Sequence, residues 1–164
     1  MNYEIERKFL IARPEEKMLS ARSARVIDIE QTYLLGTENG VSRRVRKSTE
    51  NGAVTYMKNE KRRISAAKRE EDESEISAAE YDELLKSADP ARHMIKKTRY
   101  CVPAGGLTAE IDLFRDMGGL AVCEVELPSE DADFILPDFI TVLREVTDDP
   151  RFTNSAMAKE TPHL

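Results

Sequence analysis

Histidine, cysteine and tryptophan are nearly missing from this chain of 164 residues, which has two His, two Cys and no Trp. With only His93 and His163, a His-rich zinc site is excluded. Cys101 and Cys123 are too few for a disulfide framework. No apolar run approaches the roughly 18–20 residues of a membrane-spanning helix. The chain starts directly into a charged strand, so the expectation is no signal peptide and a cytoplasmic protein. A phosphate-binding Walker loop, a dinucleotide fingerprint and a Ser-His-Asp pattern are all lacking. The net charge of -6 weighs against a general nucleic-acid binder, and no nucleic-acid or membrane partner is expected.

Charge is plentiful: 34% of residues are Asp, Glu, Lys or Arg, and 40% are hydrophobic. That is the composition of a globular domain, and the length suits a single domain over residues 1–164 with a real core. Charge and hydrophobicity alternate along short segments, which is the pattern of strands. In Tyr3–Ile11, Glu4, Glu6 and Lys8 share one face, and Tyr3, Ile5, Phe9 and Ile11 the other. Further strands are expected over Val26–Leu35, Val41–Lys47, Ala53–Lys58, Arg69–Ile76, Met94–Val102, Leu107–Arg115 and Ala121–Leu127. Gly36 to Gly40 and Asn51-Gly52 read as turns, and the basic stretch Glu60–Lys68 as the end of the preceding strand and a mobile loop. Helices are expected after Pro14, from Ser77 with Glu80 completing a capping box, over Ser129–Ile135, and over Asn154–Lys159. Pro137 to Pro150 reads as irregular.

Eight strands and few helices point to a mainly β, α+β chain with an antiparallel sheet or barrel. Apolar outer faces covered by helices would leave the charged faces lining a hydrated interior. Glu4/Glu6, Glu110/Asp112 and Glu124/Glu126 are each spaced by two, so each pair points one way. Carboxylates brought together repel unless cations lie between them, and oxygen-only ligands suit Mg²⁺ or Mn²⁺. Arg44/Arg46 and Lys97/Arg99 are same-face basic pairs, with Lys58 and Arg69 on neighbouring strands. Lys and Arg recognise phosphate, so acids beside bases fit a metal-complexed polyphosphate. The plainer reading is a lattice of salt bridges that stiffens a barrel, and it applies most to Lys58 and Arg69. Lys61-Arg62-Arg63 is read as a solvated loop, and Tyr33 as core.

Glu4-Ile5-Glu6-Arg7-Lys8 resembles the ExExK signature of the CYTH superfamily, the triphosphate tunnel metalloenzymes, in its small bacterial form. The resemblance continues through Arg44-Val45-Arg46, Lys58, Arg69 to Glu73, Lys97 to Tyr100, Glu110 to Asp112, Glu124 to Glu126, Glu145 to Asp148 and Arg151 to Asn154. It implies an eight-stranded antiparallel barrel forming a tunnel, with helices outside. It further implies Glu4, Glu6, Glu124 and Glu126 as ligands of Mg²⁺ or Mn²⁺, with Glu110 and Asp112 close by. Lys8, Arg44, Arg46, Lys58, Arg69, Lys97 and Arg99 would hold a triphosphate. Lys97 is a candidate for proton transfer, with Glu4 and Glu6 serving catalysis through the metal. The activity implied first is hydrolysis of inorganic triphosphate. Adenylate cyclase, thiamine or nucleoside triphosphatase, and a non-catalytic polyphosphate-binding module are the alternatives. The lack of Trp disfavours a large aromatic platform for thiamine or a base. A homodimer is compatible with the resemblance.

Overall fold

Asn51 and Gly52 both adopt positive φ, 50° and 79°, the conformation of a two-residue hairpin turn whose twist matches its strands. This turn locks Glu50 opposite Ala53 and fixes the register of one long hairpin, β3 (Val41–Glu50) against β4 (Ala53–Arg63). In the computed structural model, which describes residues 2–38 and 40–163, this hairpin belongs to a sheet that closes on itself. The remaining strands are β1 (Asn2–Ile11), β2 (Arg25–Tyr33), β5 (Lys68–Ile76), β6 (Ile95–Ala104), β7 (Leu107–Phe114), β8 (Ala121–Glu126) and a short β9 (Val142–Glu145). The order is β5-β4-β3-β2-β6-β7-β8-β1, and β5 pairs back onto the first half of β1 through Asn2–Glu71 to Ile5–Lys68. The result is a closed, antiparallel, eight-stranded barrel. Beyond Ile5 the free edge of β1 passes to β9, which pairs with Phe9 to Ile11.

The outer surface is where the apolar halves of the strands are buried. Phe9, Ile11, Tyr100, Val102, Ile111, Leu113, Cys123 and Val125 form one cluster outside β1, β6, β7 and β8. It is covered by Leu19 of α1 (Glu16–Arg22) and by Phe134, Leu136, Phe139 and Ile140. On the far side α2 (Ala78–Leu85) lays Tyr81 over Val45 and Ile76; Ser77 caps this helix by accepting a hydrogen bond from the Glu80 amide. A third cluster closes part of one barrel end. There Leu10, Tyr33, Ile95, Phe114 and Val122 meet Phe152, Met157 and Ala158, from a 3₁₀ turn (Pro150–Phe152) and α3 (Asn154–Lys159).

Several boundaries differ from the sequence expectation. β4 ends at Arg63, inside the stretch read as strand end and loop and beyond the expected Ala53–Lys58, because its ladder with β3 and β5 persists that far. The expected helix over Ser129–Ile135 does not form: Ser129 Oγ bonds Asp131, and Ala132, Phe134 and Leu136 reach the core at a spacing of two, as extended chain does. The segment after Pro137 contributes β9. In the Gly36 to Gly40 turn, Asn39 lies outside the described residues.

Candidate functional site: a charged tunnel

Cross-strand partners in a sheet share a face, so the registers identify the lining of the barrel. Lys8 faces Glu124, Glu6 faces Glu126, Arg99 faces Asp112, Gln31 faces Arg46, Tyr33 faces Arg44 and Glu4 faces Arg69. Six strands therefore project charge inward, and the two walls of the tunnel are built differently.

On the wall made by β6, β7 and β8 the charges are paired. Arg99 donates Nε and Nη2 to the two carboxylate oxygens of Asp112, at 2.8 and 2.9 Å, and its Nη1 lies 3.1 Å from Glu110. Lys97 Nζ lies 2.7 Å from the same Asp112, and both side chains are essentially inaccessible. Burial drives the Lys97 ammonium down to about 7; Asp112 opposes the shift, and Arg99 and Arg46 add to it. Burial alone would raise the Asp112 carboxyl, but the two cations outweigh it and hold it below its usual range.

On the wall made by β3, β4 and β5 the inward arginines lack carboxylate partners, while Lys61 is paired with Glu4. Among the described residues no ion pair engages Arg44, Arg46, Arg63 or Arg69. The Nε atoms of Arg44 and Arg46 are buried and make no hydrogen bond, while Arg46 Nη2 donates to Gln31. Burial and the neighbouring Arg44 and Arg99 bring the Arg46 guanidinium down to about 9. Unpaired buried guanidinium groups are costly, and an anion between them removes the cost.

The acids meet where β1, β5 and β8 adjoin. Burial and Glu124 push the Glu6 carboxyl up to about 8. Burial and Glu4, against Lys61, leave Glu71 at about 7. Glu124 is buried but held well below its usual range by Lys8, Arg99 and Lys97. Glu126 is raised by burial and by Glu4 and Glu110. Among the described residues no three acidic, His or Cys groups stand close enough to form a metal cage as the side chains lie. Glu4 is held by Lys61, Glu124 by Lys8, and Glu110 and Asp112 by Arg99. The chemistry nevertheless fits a hard divalent cation. The donors are all oxygens, and the burial and the charge of Glu124 that together raise the Glu6 carboxyl are what such a cation would offset.

Lys58 does not join the tunnel. The turn register puts it opposite Val45 and Ser74, on the outer face, where it is exposed. The inward polar residues of β4 include Asn59 and Lys61. Asn59 Nδ2 donates to Glu71 and Glu73 at 2.8 and 3.0 Å, and Lys61 Nζ reaches Glu4 at 2.7 Å. Counting outward from Asn51-Gly52 pairs Arg44 with residue 59, so the turn held the signal for the correct face. Tyr33 belongs both to the core and to the tunnel, where Gln31 donates to its hydroxyl at 3.3 Å. Arg63 and Arg92 are also brought in; both line a cavity of about 220 Å³ at one mouth, with Glu6, Lys8, Arg44, Lys61 and Arg69. Arg92 lies in the loop ahead of β6, and no strand pattern marks it. At the opposite mouth Cys101, Leu107 and Leu127 stand beside Arg25, Glu110 and Glu126.

A closed antiparallel barrel with facing acids and bases on its inner surface defines a class of charged-tunnel proteins. The CYTH domain model matches residues 2–152, and the chain belongs to this family. It is 37% identical over 160 residues to an inorganic triphosphatase of Acetivibrio thermocellus, covering 97% of this chain and 95% of that protein. It is 33% identical over 164 residues to an inorganic triphosphatase of Nitrosomonas europaea, covering 97% and 99%. A crystal structure of an inorganic triphosphatase superposes with a TM-score of 0.62 at 30% identity over 99% of both chains. Enzymes of this tunnel family depend on metal ions. No described helix is long and apolar enough to cross a membrane.

Proposed function

We propose that this protein, acting as one CYTH domain, hydrolyses inorganic tripolyphosphate to pyrophosphate and phosphate, with Mg²⁺ or Mn²⁺ as cofactor. The observation that carries the reading is the wall of arginines without carboxylate partners: the Nε atoms of Arg44 and Arg46 are buried and make no hydrogen bond, and Arg69 adds a third guanidinium. The names of the relatives support the same substrate.

In this reading Lys8, Arg44, Arg46, Lys61, Arg69 and Arg99 bind the phosphate oxygens, and Lys97 completes the set. Glu4, Glu6, Glu124 and Glu126 hold the metal, with Glu110 beside them. Asp112 is saturated by Arg99 and Lys97 and serves as their anchor rather than as a ligand. The bound cation would neutralise charge on the phosphate oxygens and acidify water. Water attacks the terminal phosphorus while the bond to the bridging oxygen breaks; one water proton stays on the phosphate formed, the other leaves to solvent, and solvent later restores the proton that Lys97 gives up. Lys97, balanced near neutrality between its two protonation states, gives its proton to the departing pyrophosphate. The guanidinium groups are fixed before substrate arrives, so they stabilise the spreading negative charge without reorganising.

The test is a substrate panel with product identification: tripolyphosphate, ATP, thiamine triphosphate and pyrophosphate, each with Mg²⁺ and with Mn²⁺. Phosphate and pyrophosphate in equal amounts from tripolyphosphate are expected. Folded protein that releases none with either metal refutes the reading, and cyclic AMP from ATP replaces it with a cyclase.

A further inference from the structure

Most cations of the tunnel sit on barrel strands. Arg92 does not: it precedes β6, in the loop that follows α2. Its side chain is only 10% exposed and it lines the mouth cavity with Lys8, Arg44, Arg63 and Arg69. Two contacts fix it. Its Nη1 is paired with Asp89, and its Nε donates to the Ser155 carbonyl oxygen at 3.0 Å. Neither contact uses Nη2. The loop is held in turn, because Asp89 Oδ1 accepts from the Ala91 amide and the His93 amide donates to the Ala158 carbonyl. A guanidinium pinned on two sides, with its third nitrogen left over at a polyanion site, is preorganised for an oxyanion.

Position along the tunnel gives Arg92 a distinct task. Lys97 and Arg99 lie inside β6, paired across to Phe114 and Asp112, whereas Arg92 stands beyond the end of that strand. Arg46, Lys97 and Arg99 do not line the mouth cavity that Arg92 lines, so a polyphosphate seated on these three cations meets Arg92 only through a further phosphoryl group that extends into that cavity.

We propose that Arg92 is a specificity-determining binding residue that contacts the outermost phosphoryl group and selects tripolyphosphate over shorter chains. This rests on the triphosphate reading of the tunnel. The ligand's chain length is measured by whether its last phosphate meets the Arg92 guanidinium.

The experiment measures equilibrium binding of tripolyphosphate and of pyrophosphate to the full chain, alongside phosphate release, for wild type, Arg92→Ala, Arg92→Lys and Asp89→Asn. Loss of one charge-assisted contact should weaken tripolyphosphate binding by about ten- to a hundredfold in Arg92→Ala. Pyrophosphate binding should change by less than about twofold, and Arg92→Lys should recover much of the loss. KM should rise with kcat nearly unchanged. Asp89→Asn removes the ion pair but keeps an oxygen that can accept from Ala91 and Arg92, so it should weaken tripolyphosphate binding by less than Arg92→Ala does. The proposal is overturned if Arg92→Ala weakens both ligands equally, or if Arg92→Lys recovers none of the loss, since either result makes Arg92 a strut for the loop. Wild type that binds tripolyphosphate but never cleaves it would refute the hydrolase reading while the binding ratio still decides the role of Arg92. Wild type that binds neither ligand overturns both.

Discussion

Lys61 on β4 and Glu4 on β1 form an ion pair of 2.7 Å across the inner face of β5, which lies between their strands. The pair spans the seam where the barrel closes. It also joins the two halves of the site, since Lys61 lines the cation-rich cavity and Glu4 belongs to the acidic cluster. A bound triphosphate and metal would compete for both partners.

Lys61 and Lys58 therefore separate cleanly. Lys61→Met is expected to raise KM for tripolyphosphate at least about tenfold, the effect of one lost charged contact. Lys58→Met, on the solvated outer face, should leave KM unchanged and stability within about 0.5 kcal/mol. Steady-state kinetics and urea denaturation of the two variants check this, and equal effects would contradict the register described above.

The two walls should respond in opposite ways to loss of charge. Asp112→Asn leaves Arg99 and Lys97 buried without their shared counter-ion, and a loss of roughly 3–5 kcal/mol of stability is expected. Arg46→Met removes a buried guanidinium that Arg44 and Arg99 repel, so stability should stay level or rise while tripolyphosphate affinity falls. Denaturant midpoints measured beside binding constants distinguish these patterns.

Lys97 makes stability depend on alkaline pH. Its folded value near 7 lies below the ordinary 10.5, so between these limits the unfolded chain carries a proton that the folded chain lacks. Stability from this group therefore rises as pH increases from about 7 toward 10.5, and the penalty is fully present below 7. Lys97→Met should flatten that rise. Denaturation curves at pH 7.5 and 9 for both proteins provide the comparison.

A divalent cation that binds only the folded state raises Tm. Mg²⁺ or Mn²⁺ should do so in wild type, and Glu6→Gln should lose most of the increase. Chelation should abolish phosphate release without unfolding the barrel. Circular dichroism with and without chelator, beside the activity assay, tests both statements.

Strand alternation in the sequence already separates the charged faces from the apolar ones. Glu4, Glu6 and Lys8 share a face because successive side chains alternate, whatever the tertiary structure. The Asn51-Gly52 turn determines the register of β3 and β4 by its backbone geometry, and with it the inward face of Lys61. Local pattern also marks the capping box at Ser77. It does not mark the end of β4, because a basic run such as Lys61 to Arg63 reads as solvated loop until strands on both sides supply its ladder. Nor does it distinguish a paired Arg99 from an unpaired Arg44. Both are arginines at alternating positions, and their difference arises only when closure sets Asp112 beside one and leaves the other facing the tunnel. Arg92 depends on tertiary structure entirely, because its loop carries no periodicity and meets the site only where Asp89 and α3 hold it.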